Sequence, residues 1–205
     1  MNDDSFHKNI EWNYPTPTTS WDKFVGPGAT KSEHLLMLLP TVLLTALLLG
    51  WAAWQEVQWS IWQYIIAGFL AFDLIGGVIT NATAPAKRWY HRSEQNLTQH
   101  LKFIALHGIQ LLLVTCFFND FNWWFFAGTY GYLFAAAFLV LKTPLYIQRP
   151  VAFGIYTITL LLWTSFLTSV EGFSSIPGLD WFVPVFFFKL LISHLLIEEP
   201  YRPQE

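Results

Sequence analysis

Six long apolar stretches constrain this chain more than any other feature of its sequence. They cover residues 35–54, 59–80, 101–118, 123–141, 151–170 and 181–197. A helix needs about 20 mostly apolar residues to cross the hydrocarbon of a bilayer. Because 54% of the chain is hydrophobic and only 12% is charged, a soluble core of this size could not bury the apolar surface. The sequence therefore predicts an all-α, polytopic integral membrane bundle of about six transmembrane helices.

The connections between these stretches carry positive charge only alternately. Lys and Arg lie before the first stretch, between the second and third, between the fourth and fifth, and after the sixth. The opposite connections carry acidic residues instead: Glu56, Asp120, Glu171 and Asp180. Cytoplasmic loops are enriched in Lys and Arg, so we expect a protein of the cell (inner) membrane with both termini in the cytoplasm. Its parts are an interfacial N-terminal segment, a six-helix transmembrane domain and a short tail: 1–33, 34–198 and 199–205.

Four ionisable side chains fall inside the predicted spans, apart from Lys102 at the start of the third: Asp73, His107, Lys189 and His194. A charged residue at the centre of a span costs about 2.5–3.5 kcal/mol on the translocon scale, which makes each one a functional candidate by default. With a rise of about 1.5 Å per residue, three of them, Asp73, His107 and His194, come to similar depths near the cytoplasmic ends of their helices. We expect Asp73 and His107 to be catalytic, because these two have no easy exit to water.

Further histidine and carboxylate groups collect near the same depth. Neutral imidazole nitrogens and carboxylate oxygens are ligands that Zn and non-haem Fe take. The candidate ligands for such a divalent metal are His100, His107, His194 and Glu198. The side chains that we expect to hydrogen-bond to these ligands without contacting the metal are Glu33, His34 and Lys189. The prediction depends on depth alone, since the sequence has no H-E-x-x-H, H-x-x-x-H or H-x-x-H pair.

The connection after the second stretch mixes cations with aromatic rings. Lys87, Arg88 and Arg92 alternate with Trp89 and Tyr90. This composition suits anionic lipid headgroups. We therefore expect Lys87, Arg88 and Arg92 to bind the headgroup of a substrate or of the surrounding lipid.

These residues leave four functions open. The first is a metal-dependent membrane enzyme, a hydrolase or an oxidoreductase, acting on a lipid or isoprenoid substrate at the cytoplasmic leaflet. The second is a small proton-coupled transporter using Asp73, His107 and Lys189. The third is a haem-binding protein with His107 and His194 as ligands, and the fourth is an assembly subunit in which an Asp73–Lys189 pair only specifies helix packing. The enzyme is favoured because the polar groups cluster in one leaflet, whereas a transport path needs them on both sides.

Net charge and cysteine content narrow the partners. The net charge is -3 and no basic stripe is present, which excludes a nucleic-acid partner. The single cysteine, Cys116, excludes an intrachain disulfide. The expected partner is the lipid membrane, with further copies of the chain left open.

Overall fold

The computed structural model describes residues 15–166, 173 and 176–197, and the regular elements within these ranges are all helices. We number the helices in chain order: α1 (Ser20–Val25), α2 (Lys31–Trp54), α3 (Ile61–Ala82), α4 (Ala84–Tyr90), α5 (Leu97–Leu106), α6 (Gly108–Phe118), α7 (Trp123–Lys142), α8 (Leu145–Leu161) and α9 (Phe182–His194). A π-helical segment, Leu162–Phe166, continues α8. The prediction of an all-helical chain is confirmed for this part of the sequence. The tail 199–205 and the beginning of the segment 1–33 lie outside the described residues.

Five helical segments are long and apolar enough to cross a membrane. They are Lys31–Trp54, Ile61–Ala82, Leu97–Phe118, Trp123–Lys142 and Leu145–Ser165. The sixth predicted stretch forms α9, which is apolar but shorter over its described length. Large apolar side chains stand exposed along α2, among them Leu35, Leu36, Leu39, Leu43 and Leu47. Such a surface is typical of helices that have hydrocarbon rather than water around them.

α9 is the most enclosed helix of the described bundle. It packs against α3, α7 and α8, and its fully buried side chains include Phe182, Phe186, Phe187, Leu190 and Leu191. Here the neighbouring helices, rather than hydrocarbon, cover the apolar faces of α9. α9 therefore positions whatever polar side chains it carries inside the bundle.

The second half of α9, Phe188–His194, is a π-helix. The amide of Leu195 donates to the carbonyl of Leu190 at 3.2 Å, a bond between residues five apart. Residues with this spacing lie near one face of a π-helix, whereas an α-helix would turn them well apart. Lys189 and His194 are five apart, and both reach the side of the bundle where α3 and α5 lie.

Pro150 precedes the fifth apolar stretch, 151–170, directly in the sequence. It lies inside α8, which begins at Leu145 rather than at residue 151. A proline in a helix removes the bond to the carbonyl four residues before it, here that of Tyr146. Tyr146 is exposed, and the lost bond lies near the end of the helix. The helix therefore accommodates this proline close to its start.

Two short helices close the end of the bundle where α3 finishes. α4 begins with Pro85 in its first turn, where a missing amide donor costs little. α1 packs on α4, and Tyr90 Oη donates to the carbonyls of Lys23 at 3.3 Å and Phe24 at 2.9 Å. Gly26, which ends α1, has φ +91°, and a Cβ there would overlap the Pro85 backbone. The contact between α1 and α4 therefore requires glycine at this position.

Replacing Gly26 with alanine should detach α1 from α4. The added methyl group meets backbone, which cannot move aside as a side-chain tip can, and the positive φ adds strain of about 1–3 kcal/mol. We expect tryptic cleavage at Lys23 to become about tenfold faster, a factor that corresponds to about 1.4 kcal/mol. Gly50→Ala is the matched control, because a methyl group at Gly50 would have no atom within 4 Å. Equal cleavage rates in the two variants would contradict this role of Gly26.

Candidate functional site

A cavity of about 500 Å³, the main cavity, opens between α3, α5, α6 and α9. Four of its lining side chains are apolar and exposed, and they form its mouth: Phe24, Phe69, Leu106 and Ile109. Its polar lining includes Asp73, His107, Gln110 and Lys189. The cavity therefore joins an apolar opening on helices of span length to a group of hydrogen-bonding and ionisable side chains.

Asp73 of α3 and Lys189 of α9 form an ion pair in this cavity. The Lys189 Nζ lies 2.7 Å from the Asp73 Oδ2, and the side chains are 3% and 28% exposed, respectively. Gln110 of α6 donates a further hydrogen bond from its Nε2 to the same carboxylate oxygen. Gly77 makes the pair sterically feasible, because a Cβ there would overlap the Cε of Lys189. The carboxylate is thus the accessible member of the pair, and the ammonium is enclosed.

His107 stands at the break between α5 and α6. Its Nδ1 lies 2.7 Å from the carbonyl of Phe103, so Nδ1 carries the proton in the neutral ring and Nε2 is the nitrogen that can accept one. His107 lines the main cavity together with Asp73. The two residues predicted to be catalytic are thus brought to one cavity, although nothing in this placement tests their catalytic role.

A second group, the histidine cluster, consists of His91, His100 and His194. The Nδ1 of His100 lies 3.3 Å from the Nε2 of His194, and the His91 and His100 rings have centroids 4.8 Å apart. His91 Nε2 donates to the backbone carbonyl of His194 at 2.8 Å. The Nδ1 of His194, which is buried, has no hydrogen-bond partner among the described residues.

The aromatic ring of Phe103 stands against both His107 and His194. Its centroid lies 4.3 Å from that of His107 and 3.7 Å from that of His194, with which it is stacked. The Phe103 ring therefore packs against both imidazoles that the haem alternative requires as ligands. That alternative stays a prediction.

The predicted metal site also finds no support in the described residues. His100 and His194 approach each other, but His107 lines the main cavity with Asp73 and Lys189 instead. No group of three or more His, Cys, Asp or Glu side chains in the described ranges is arranged to hold a metal ion. Glu198 lies outside those ranges. A site that includes Glu198 stays a prediction.

A smaller cavity of about 160 Å³, the interfacial pocket, adjoins the histidine cluster. Its lining comprises Trp89, Tyr90, Arg92, Gln95, Gln99, His100, Phe103 and His194. Tyr90 and Phe103 also line the main cavity. The two cavities are therefore neighbours separated by shared aromatic side chains.

The three cations expected at lipid headgroups lie in different surroundings. Lys87 is buried, and its Nζ donates to the carbonyls of Ser193 and Leu196, both at 2.5 Å. This placement does not fit a headgroup contact, because the ammonium is enclosed at the end of α9. Arg88 is half-buried. Arg92 lines the interfacial pocket, and its guanidinium lies 3.7 Å from the Trp89 ring centroid.

Glu33 and His34, expected to support a metal site, act at the start of α2. Glu33 accepts hydrogen bonds from the amide and the hydroxyl of Thr30, both at 2.7 Å. The ring of His34 stacks on Trp21, and its Nδ1 lies 2.8 Å from the Thr30 carbonyl. These are the contacts of a capped helix start. The described contacts give neither residue a link to the histidine cluster.

Sequence reasoning missed Gln110 and the role of His91. Gln110 lies three residues after His107 in an otherwise apolar run, so its helical spacing was a signal that both could share a face. His91 follows the predicted headgroup segment, and only the folding of α4 beneath α9 brings its ring to His194. That long-range contact has no signature in local sequence.

The pKa of His91 is lowered to about 3, mainly by burial and in addition by the nearby charges of His100 and Lys87. A histidine in the unfolded chain has a pKa near 6.5. Between about pH 3 and pH 6.5 the folded chain therefore binds fewer protons at His91 than the unfolded chain does. Stability contributed by neutral His91 is complete above about pH 6.5 and is lost as pH falls, by up to about 1.4 kcal/mol per pH unit. We expect His91→Gln to flatten the fall in melting temperature between about pH 6.5 and 4. His34→Gln serves as the control, and equal slopes in both variants would contradict the assignment.

The described residues thus form an ion pair with a histidine in one cavity and a histidine cluster beside another. Comparison of the chain with protein-family models, curated proteins and solved structures finds no match.

Proposed function

We propose that this protein is a multi-pass enzyme of the cell (inner) membrane that acts on a lipid or isoprenoid substrate at the cytoplasmic leaflet. One observation carries the proposal: the main cavity begins among exposed apolar side chains and contains a carboxylate, an ammonium, an imidazole and an amide. Binding sites for small molecules are typically apolar cavities of about 300–1,000 Å³ with a few polar groups. A lipid could enter such a cavity sideways from the bilayer.

Six spans fit this proposal, formed by the five span-length segments and α9. The cationic residues Lys87 and Arg88 belong to α4, at the end of the bundle where α3 finishes. The positive-inside rule assigns that end, and with it both termini, to the cytoplasm. In this topology the interfacial pocket lies near the cytoplasmic headgroups, and the main cavity lies in the adjoining leaflet.

The side chains of the main cavity suit acid–base chemistry on the polar end of a lipid. His107 Nε2 can take a proton from a substrate hydroxyl or from water, because the Phe103 carbonyl fixes the proton on Nδ1. The Asp73 carboxylate can orient the same hydroxyl or water molecule, and the Lys189 ammonium compensates the negative charge of Asp73. Gln110 Nε2 donates to the Asp73 carboxylate and so helps to hold it in place. No step is assigned to a metal ion.

Turnover of lipid by the purified protein tests this function. The protein is reconstituted in vesicles of a total bacterial lipid extract with added prenyl alcohols and prenyl phosphates, and lipid species are followed by mass spectrometry. We expect one class to be consumed, and His107→Asn to slow its consumption by about 100-fold, the usual range for loss of an acid–base group. Asn retains a donor for the Phe103 carbonyl, so the fold should persist. Unchanged turnover in His107→Asn would contradict the role of His107.

Thr157→Val provides the matched control for this assay, since Thr157 is exposed on α8 and bonds only to its own helix at Phe153. Its rate should equal that of the unmodified protein. A folded protein that consumes no lipid of any class in the mixture would contradict the enzyme assignment.

A proton-coupled carrier is the second candidate, and one observation favours it. A further cavity of about 220 Å³ includes the hydroxyl groups of Tyr132 and Thr159 in its lining. Like the main cavity, it borders α9, through Val183 and Phe187. Polar groups in two cavities along one helix are what a carrier needs. Proton uptake into proteoliposomes that is abolished by Asp73→Asn would favour this function over the enzyme.

A further inference from the structure

The interfacial pocket has hydrogen-bond donors and one cation, but no carboxylate, in its lining. Arg92 provides a guanidinium, Gln95 and Gln99 provide amides, and His100 and His194 provide imidazoles. The described acidic side chain nearest in sequence, Glu94, pairs with Arg92 at 3.3 Å and is 71% exposed. A half-buried guanidinium beside two buried imidazoles, with no carboxylate in the lining, is complementary to an anion.

Several of these donors are oriented by the fold rather than free to turn away. The guanidinium of Arg92 is held over the Trp89 ring and donates to the Trp89 carbonyl at 2.5 Å. Gln99 Oε1 accepts from the amide of Asn96 at 3.3 Å, so its Nε2 is the group left for a ligand. Donors fixed before binding lose little entropy when the ligand arrives.

His194 adds an independent indication of a ligand. It is only 2% exposed, it lines the interfacial pocket, and its Nδ1 has no hydrogen-bond partner among the described residues. A buried polar atom without a partner is unfavourable by about 1–3 kcal/mol. Because this nitrogen has almost no accessible surface, a phosphate oxygen in the pocket would satisfy it once the His194 ring turns toward the ligand.

The neighbouring main cavity specifies what the anion is attached to. Tyr90 and Phe103 line both cavities, so a ligand that holds its charged group among the donors can extend its chain between these rings. The pocket, at about 160 Å³, accommodates a phosphate with few further atoms and no large headgroup.

We infer that the interfacial pocket binds the phosphate of a lipid, that the atoms next to the phosphate lie beside His107 in the main cavity, and that the rest of the hydrocarbon chain extends to the apolar mouth of that cavity. This inference rests on the proposed function and names its substrate class: a prenyl or acyl lipid with a small phosphate headgroup. Arg92, His100 and Gln99 are the phosphate-binding residues, and His194 completes the pocket.

Binding of farnesyl phosphate, farnesol and inorganic phosphate to the purified full chain tests the inference by isothermal titration in detergent. Farnesyl phosphate should bind about tenfold tighter than farnesol, the contribution of one charge-assisted hydrogen bond. Arg92→Gln should abolish this preference, and Lys102→Gln, which removes an exposed cation of α5, should keep it. Equal affinity for both lipids would overturn the phosphate assignment while leaving the main cavity as a lipid site.

Two further arms separate this inference from the proposed function. Leu106→Trp narrows the mouth of the main cavity and should weaken both farnesyl ligands, whereas inorganic phosphate should bind much more weakly than farnesyl phosphate to the unmodified protein. If inorganic phosphate binds as tightly as farnesyl phosphate, the pocket recognises free phosphate. That result would overturn the inference that its ligand is a lipid. If farnesyl phosphate still binds more tightly than farnesol but Leu106→Trp weakens neither ligand, the main cavity is not the lipid site. That result would contradict the proposed function.

Discussion

Asp73→Leu is expected to lower the free energy of unfolding by about 3–5 kcal/mol, the usual effect of breaking one partner of a buried ion pair. The reason is the enclosure of the remaining partner: Lys189 is 3% exposed, and the 2.7 Å contact to Asp73 is its one ion pair among the described residues. The measurement is reversible denaturation in mixed micelles, followed by tryptophan fluorescence.

A double-mutant cycle identifies the interaction. Lys189→Met alone should destabilise less than Asp73→Leu, because the carboxylate it leaves behind is partly exposed and still accepts from Gln110. The combined variant should recover most of the stability, since a pair of apolar side chains replaces a buried ion pair with little loss. Additive effects of the two substitutions would contradict a direct pair.

The same combined variant separates the proposed enzyme from the assembly subunit. If the pair only specifies helix packing, the stable double variant keeps every function of the protein. In the proposed enzyme, Asp73 acts on the substrate, so the double variant folds but neither consumes lipid nor binds it normally. Retained turnover in a folded double variant would contradict the role of Asp73.

Lys87→Met should have the second-largest effect, a loss of about 3 kcal/mol, because hydrogen bonds from a charged group contribute about 1.5–3 kcal/mol each. Lys87 Nζ donates to two carbonyls at the end of α9, those of Ser193 and Leu196. A cation at the last turn of a helix also interacts favourably with the helix dipole. Methionine fills a similar volume without a donor. Thermal denaturation in detergent measures the change.

Lys102→Met is the matched control for this substitution, because Lys102 is exposed on α5. It should change stability by no more than about 0.5 kcal/mol. Equal effects of Lys87→Met and Lys102→Met would show that the carbonyl contacts of Lys87 contribute nothing measurable. Loss of the Lys87 contacts at the end of α9 should also displace His194, which lines the interfacial pocket. Lys87→Met is therefore expected to weaken the preference of this pocket for phosphate.

The local sequence was sufficient to predict the helices and some of the residues that line the main cavity. Apolar length predicted the five helical segments of span length, and the unfavourable free energy expected for ionisable groups in apolar stretches identified two polar lining residues of the main cavity, Asp73 and His107. The sequence also indicates where α2 starts, because Thr30 and Glu33 have the spacing of a capping box and form one. Depth alone could not distinguish that capping role of Glu33 from support of a metal site.

The remaining features depend on contacts between distant parts of the chain. The π-helical turn in α9 directs Lys189 and His194 to one side, whereas α-helical spacing would have separated them. Lys87 has the local surroundings of a headgroup ligand because its sequence neighbours are cationic and aromatic, yet α4 folds beneath α9 and buries its ammonium. Neither outcome follows from helical periodicity, because both depend on which helices are neighbours.

Photocrosslinking of a lipid to the main cavity tests the central claim most directly. A prenyl phosphate with a diazirine at the end of its chain is bound to the purified protein, irradiated, and its attachment sites are mapped by peptide mass spectrometry. We expect crosslinks at Phe69, Leu106 and Ile109, reduced about tenfold by Leu106→Trp and unaffected by Leu112→Trp, whose exposed side chain lies outside the cavity lining. Crosslinks spread evenly over the exposed apolar faces, with no difference between the two variants, would contradict a lipid site in the main cavity.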